Sequence, residues 1–268
     1  MELSDFKRAG GGAMIDCMPC DAGRNVMKLA EISRRSGVHL VAPTGLHRNR
    51  FYPEGHWRFT STVELLADLF AAEIETGIDA NDCAGPDVRR TVHKAGIIKL
   101  GSDGALLDDA ERLAFEAGAS AHRRTGAPVI THCEPGRGAE QVQFLASRGV
   151  DPKHVVLSHT DCEPDPSYHR SLLKTGAYVE YDRCFRAKLD DSNPTLKLFA
   201  AMVKEFPDQV MLGTDGARPS YWRSYGGSPG LDYLLLGFSE QARKLGVTAD
   251  LFEKVFVANP AHAYAFAG

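Results

Sequence analysis

Seven short apolar runs recur along the chain, and they set what it can fold into. They cover residues 13–17, 39–43, 95–100, 128–132, 154–159, 177–181 and 209–213. Each is rich in Val, Ile or Leu and is bounded by Gly, Pro or Asp. That pattern suits a strand buried on both faces. Between the runs lie stretches with helical spacing of apolar residues: 25–36, 108–125, 194–206, 231–245 and 249–257. In the first of these, Val26, Leu29, Ala30 and Ile32 share one side; in the second, Leu113, Ala114, Ala117 and Ala121 do. Strands alternating with helices imply parallel βαβ units. Pattern alone leaves two architectures open, a barrel and a doubly wound sheet. Gly226-Gly-Ser-Pro-Gly230 reads as a loop, and residues 47–57 read as a long rim loop.

The residues that close the strands favour the barrel, where an active site is built just past the C-terminal strand ends. Lys99 stands inside Gly96-Ile-Ile-Lys-Leu-Gly101, with apolar neighbours on both sides. A lysine in such a strand is costly unless paired or neutralised. A neutral amine can take up CO2, and the resulting carbamate can bridge two divalent metals. The other reading is a lysine that snorkels out at the strand end. His132 and His159 each close a Val- and Ile-rich run, and neutral imidazole is a standard ligand for zinc and similar ions. A strand-end histidine can equally be a hydrogen-bonded core residue. Asp215 follows Val210-Met-Leu-Gly-Thr214, and helix capping is its alternative role. Lys99 and His132 are 33 residues apart, and His132 and His159 are 27 apart, about one βα unit each. The step to Asp215 is 56 residues, or two units. Lys, His, His, a strand with no ligand, then Asp is the pattern of a metal centre.

Composition removes several classes. The chain has 268 residues, 43% of them hydrophobic, which is enough for one large barrel domain over residues 1–268. Net charge is −4, so no basic field for nucleic acid is expected. No apolar run is long enough for a membrane span, and the first residues lack the apolar core of a secretory signal; the cytoplasm is the expected compartment. Six cysteines show no framework spacing and read as reduced thiols. Cys17-Met-Pro-Cys20 has the form of a redox pair, but helix signals begin only after Gly23, so ordinary rim residues are the better reading.

Taken together, these stretches resemble the phosphotriesterase-like family of the amidohydrolase superfamily. The matching segments are Gly10-Gly-Gly-Ala-Met-Ile-Asp16, Gly23-Arg-Asn25, Ala95-Gly-Ile-Ile-Lys99, Thr131-His-Cys-Glu134, Leu157-Ser-His-Thr-Asp161, Gly213-Thr-Asp215 and Asn259-Pro-Ala261. They span nearly the whole chain. The resemblance implies a TIM-type (β/α)8 barrel with a binuclear metal centre. It implies a carbamate on Lys99 as the bridge, His132 and His159 on one metal, and Asp215 on the other. Asp215 would also take the proton of the attacking hydroxide. The family's first strand carries a His-x-His pair, whereas the first histidine here is His39. An incomplete barrel of seven recognisable strands is therefore expected.

The implied activity is hydrolysis of a lactone, carboxylic ester or phosphotriester by a metal-bound hydroxide, with zinc as the expected metal. Arg183 matches a strand-seven arginine that the family's lactonases keep in the pocket; a salt bridge to Asp182 is its alternative. His47, Arg48 and Arg50 follow the second run, and Arg218 follows Asp215. If Arg48 and Arg218 face the pocket, a carboxylated or phosphorylated lactone is the natural substrate. Glu134 and Asp161 either orient the metal histidines or sit at helix starts. The resemblance also implies a homodimer. Two other functions compete: a binding protein that keeps the barrel and at most one metal, and a redox protein acting through Cys17 and Cys20.

Overall fold

The computed structural model describes residues 1–104, 108–186, 189–190 and 192–268. Every predicted run contains strand. The strands are β1 (Ala13–Ile15), β2 (His39–Val41), β3 (Pro43–Gly45), β4 (Ile97–Gly101), β5 (Val129–His132), β6 (Val155–Ser158), β7 (Tyr178–Tyr181) and β8 (Val210–Leu212). All pairings between them are parallel. β3 to β8 form one six-stranded sheet in sequence order, and β1 pairs with β2.

β2 and β3 are two halves of one extended segment, divided at Ala42. The first half pairs with β1 and the second with β4. Ala42 itself accepts the Gly96 amide at 2.9 Å, so the segment passes from one neighbour to the other without losing its ladder. The result is seven strand positions of a TIM-type barrel in unbroken order. Among the described residues, β1 and β8 are not joined. β3 ends on Gly45, whose φ is +101°; a Cβ there would lie 2.0 Å from the Lys99 carbonyl oxygen. Only glycine lets β3 lie this close to the strand that carries Lys99.

The pleat sorts side chains into two layers. Ile98, Leu100, Val129, Val155, Leu157, Val179 and Val210 face the helices and belong to the larger core. Ile97, Ile130, Val156, Tyr178 and Met211 pack together inside the barrel. The inner layer is closed by Ala263 and Tyr264, at the end of the C-terminal helix α10 (Asn259–Ala263). Two residues further along each strand, the same inward parity reaches Lys99, His132, Ser158, Glu180 and Gly213. Apolar packing below thus delivers polar side chains above.

The helices are α1 (Glu2–Arg8), α2 (Val26–Ser36), α3 (Val63–Glu75), α4 (Asp109–Thr125), α5 (Gly138–Ser147), α6 (Pro166–Leu173), α7 (Pro194–Glu205), α8 (Gly237–Lys244), α9 (Ala249–Glu253) and α10. Asn25, Asp108 and Asn193 cap α2, α4 and α7 with their side-chain oxygens. The expected helix over 231–245 is instead a 3-10 turn (Leu231–Leu234) followed by α8. Gly237 starts α8 where the Tyr233 ring leaves room for no Cβ, the nearest ring atom being 2.5 Å away. The expected helix over 249–257 continues from α9 through a π turn (Lys254–Ala258) into α10. No helix among the described residues is long and apolar enough to cross a membrane.

Candidate metal centre

Lys99 lies on β4 and is 2% exposed. Its Nζ donates to the Ser158 hydroxyl at 3.3 Å. The side chain therefore points into the barrel and does not snorkel out. His132 is the last residue of β5 and keeps the inward parity of Ile130. His159 does not: β6 alternation would turn it toward the helices. Its φ of +62° breaks the pleat and swings the imidazole inward. Non-glycine residues held in this region cluster at functional sites. The His132 and His159 rings meet edge to face with centroids 4.3 Å apart.

Asp182 anchors His159 twice. One carboxylate oxygen lies 2.7 Å from Nδ1 and the other accepts the His159 backbone amide at 3.1 Å. Nε2 is left available as a ligand atom. Asp215 follows β8 with φ +38°, and ligand atoms of His159, Asp182 and Asp215 lie within 4.8 Å of one another. The Arg186 guanidinium is paired with the Asp215 carboxylate.

The two histidines differ electrically. Burial drives the protonation of His132 far below the usual imidazole range, and the neighbouring His159 and Lys99 charges push the same way. The ring is therefore neutral, the form that binds metals. Burial also works against protonation of His159, but the charge and hydrogen bond of Asp182 outweigh it and raise the pKa. Below the site, Glu180 is raised to about 7 by burial and by the Asp182 charge, with Lys99 pulling back; it accepts the Tyr264 hydroxyl at 3.2 Å. A Cβ on Gly213 would come within 2.7 Å of Glu180, so this carboxylate also fixes the residue opposite it.

Of the predicted substrate residues, His47 comes nearest. It is 7% exposed, its ring stacks on Phe51 at 3.9 Å, and it lies 5.5 Å from the His132 ring. Burial first, then the Lys99 and Arg48 charges, lower its pKa. Arg48 pairs with Glu134 and lies 3.5 Å from Asp103, to which Arg50 also reaches at 3.2 Å. Arg183 turns its guanidinium to the Cys162 sulfur at 2.9 Å and makes no bond to Asp182 among the described residues, because Asp182 is taken by His159. Arg218 is exposed, three residues past Asp215.

Glu134 lies 3.3 Å from His132 Nε2, well before α5 begins. Asp161 does not touch His159. It accepts the Asp182 and Arg183 amides and the Thr195 hydroxyl, holding the end of β7 in place. Asp182, Ser158 and Glu180 were not singled out in the sequence. The signal for two of them was present: Tyr178, Glu180 and Asp182 alternate along β7 and the residue after it, so a run read as apolar brings in two carboxylates.

The donor set fits a divalent metal. His159, Asp182 and Asp215 bring ligand atoms within 4.8 Å of one another, the His132 ring lies beside His159, and buried Lys99 bonds to Ser158 next to them. Among the described residues the His132 ring bonds only to Glu134.

Comparison with known proteins places the chain in a family. The profile of the phosphotriesterase family matches residues 1–264. A curated relative, the phospho-furanose lactonase of Mycoplasmopsis synoviae (strain 53), is 30% identical over 277 residues, covering 99% of this chain and 78% of the relative. The crystal structure of a lactonase from Listeria monocytogenes superposes with a TM-score of 0.89 at 28% identity, covering 100% of this chain and 85% of that one. The crystal structure of the phosphotriesterase homology protein from Escherichia coli, complexed with phosphate in its active site, gives 0.88 at 29% identity, covering 98% and 88%. With seven strand positions in barrel order and a family match over nearly its full length, this chain belongs to the phosphotriesterase family.

Proposed function

We propose that this chain is a metal-dependent hydrolase that opens a lactone bearing an anionic, phosphorylated substituent. The observation that carries the reading is buried Lys99 below the paired His132 and His159 rings, with Asp215 and His159 offering ligand atoms within 4.8 Å of each other. The relatives named as lactonases support the reaction class, and the phosphate bound in the Escherichia coli protein supports the anionic group. Zinc is the metal that suits imidazole and carboxylate donors best, with Lys99 carried as a carbamate.

A divalent metal supplies two things when bound: a lower pKa for water and polarisation of the ester carbonyl. The residues of the chain do the rest. Lys99, His132 and His159 would hold the metal. Asp182 keeps the His159 tautomer that leaves Nε2 free, the role a carboxylate commonly plays behind a metal-bound histidine. Asp215 takes the proton of the attacking water and returns it to the leaving alkoxide, once Arg186 yields its carboxylate. His47 faces the site from the rim, and Arg48, Arg183 and Arg218 are the cations assigned to receive the anionic substituent.

Metal analysis of the purified protein, with a panel of phosphorylated and unphosphorylated lactones and aryl esters, tests this. At least one equivalent of divalent metal is expected, with turnover fastest on phosphorylated lactones and lost on chelation. A metal-free, inert protein would overturn the reading. It would leave the second one, a binding protein on the same barrel, which the Arg186–Asp215 ion pair favours because it already satisfies the carboxylate. Replacing Asp182 with asparagine is expected to weaken metal affinity about 10–100-fold without unfolding the chain. Calorimetric titration of the apo protein measures that directly.

A further inference from the structure

We infer that Cys20 and Cys83 form a thiol-oxidation site, in which peroxide converts the pair to an intramolecular disulfide. The sequence spacing suggests a different pair, Cys17 and Cys20. The structure separates those two. Cys17 packs with the inner layer of the barrel, beside Ile15, Val41 and Tyr264, whereas Cys20 belongs to the outer core and is fully buried. No helix begins at Cys17; α2 starts at Val26.

Cys20 instead meets Cys83 at Glu73, on the last turn of α3. Their sulfurs and a Glu73 carboxylate oxygen lie within 4.8 Å of one another. The Cys20 thiol donates to Glu73 Oε2 at 3.2 Å, and the Cys83 thiol to Oε1 at 3.9 Å. Two features suit these thiols to oxidation. First, Cys83 lines a cleft of about 600 Å³ with Asp21, His56, Trp57, Asp79 and Arg90, so a small oxidant reaches it. Second, losing both S–H donors costs Glu73 little, because Arg24 still binds both of its oxygens at 2.7 Å.

Movement needed for bond formation falls on Cys83. Cys20 is fixed: its amide donates to Gly45 O at 3.2 Å and its carbonyl accepts the Tyr52 hydroxyl at 3.0 Å. Cys83 sits on a turn with φ +51° at Asp82 and +63° at its own position, tied through its amide to Asp79. A disulfide needs its sulfurs about 2.05 Å apart, within reach of a side-chain rotation and a small shift of that turn. In the first step the Cys83 sulfur attacks hydrogen peroxide. The O–O bond breaks, Cys83 becomes a sulfenic acid, and the departing hydroxide takes the thiol proton as water. In the second, the Cys20 sulfur attacks Cys83. Its proton passes through Glu73 to the leaving hydroxide, so one disulfide and a second water result. The pair gives up two electrons and one peroxide is reduced.

The test is peptide mapping of the full chain after mild peroxide treatment and alkylation. The expected product links the Cys20 and Cys83 peptides, with two of the six thiols lost. Closing so long a loop should raise the thermal midpoint by roughly 5–10 °C, reversed by reductant. Cys83→Ser and Cys83→Ala should abolish both the link and the rise, while Cys17→Ser should change neither. A Cys17–Cys20 link overturns the inference. So does a Cys83 that goes on to sulfinic acid without linkage, or a folded chain that keeps all its thiols.

Discussion

Lys99→Met is expected to strip the protein of its metal and lower hydrolysis by roughly 10²–10³-fold, while the fold survives. The two side chains have similar length, so the packing between Ile97, Ser158 and Glu180 is kept. What disappears is the nitrogen, and with it any carbamate. A lysine that is 2% exposed and bonded only to a serine hydroxyl among the described residues is expensive to bury. Methionine relieves that cost, so the thermal midpoint of the variant should match or exceed that of the parent apo protein. Metal content by mass spectrometry, rate on the best lactone and midpoint by calorimetry separate the cases. Unchanged metal and rate would make Lys99 a buried structural residue and remove the proposed centre. Restoration of the rate in a Lys99→Ala variant by added short carboxylates would support a carbamate at this position.

Glu73→Gln should be the most destabilising single polar change. The Arg24 and Glu73 side chains are both fully buried, joined through two 2.7 Å bonds. Arg24 also donates to Asp82 at 2.8 Å and to the Pro43 carbonyl at 2.6 Å. Glu73→Gln removes the fully buried counter-charge of Arg24 and leaves only Asp82, which is 17% exposed, to balance it, at a cost approaching the roughly 3–5 kcal/mol of breaking a buried pair. For a chain of this size that is a fall in midpoint of roughly 6–15 °C. The double change Arg24→Met with Glu73→Leu should recover much of the loss, since the charge it leaves without an ion pair, Asp82, is partly exposed and keeps the Asp21 amide as a donor. A Glu73→Gln midpoint within 2 °C of the parent, roughly the effect of under 1 kcal/mol, would refute this.

Much of the fold was legible because parallel barrel strands are apolar on both faces and short. All seven runs contain strand, and the boundaries differ by a residue or two. The helices over 231–245 and 249–257 were read too simply, because ring packing at Gly237 and the π turn after Glu253 leave no periodic trace. At the site, the residues at strand ends could be named because their inward parity is written in the alternation. What the sequence hides is the turn that rotates His159 against that parity, since nothing in Ser-His-Thr announces φ +62°. Cys20 and Cys83 lie 63 residues apart in sequence, and only the packing of α3 brings them together. Asp182 was seen as a neighbour of Arg183, while the structure gives it to His159.

The handover at Ala42 has a mechanical meaning. The N-terminal strand pair shares only three residue positions per strand, and among the described residues its ladder reaches the main sheet through one segment. Lifting that pair as a flap leaves the ladder of β4 to β8 intact but costs the packing of Ile15 and Val41 on the inner layer; local opening of this kind is cheaper than global unfolding. Arg24 is the rivet: its hold on Pro43, one residue past the handover, pins the flap where it joins the sheet.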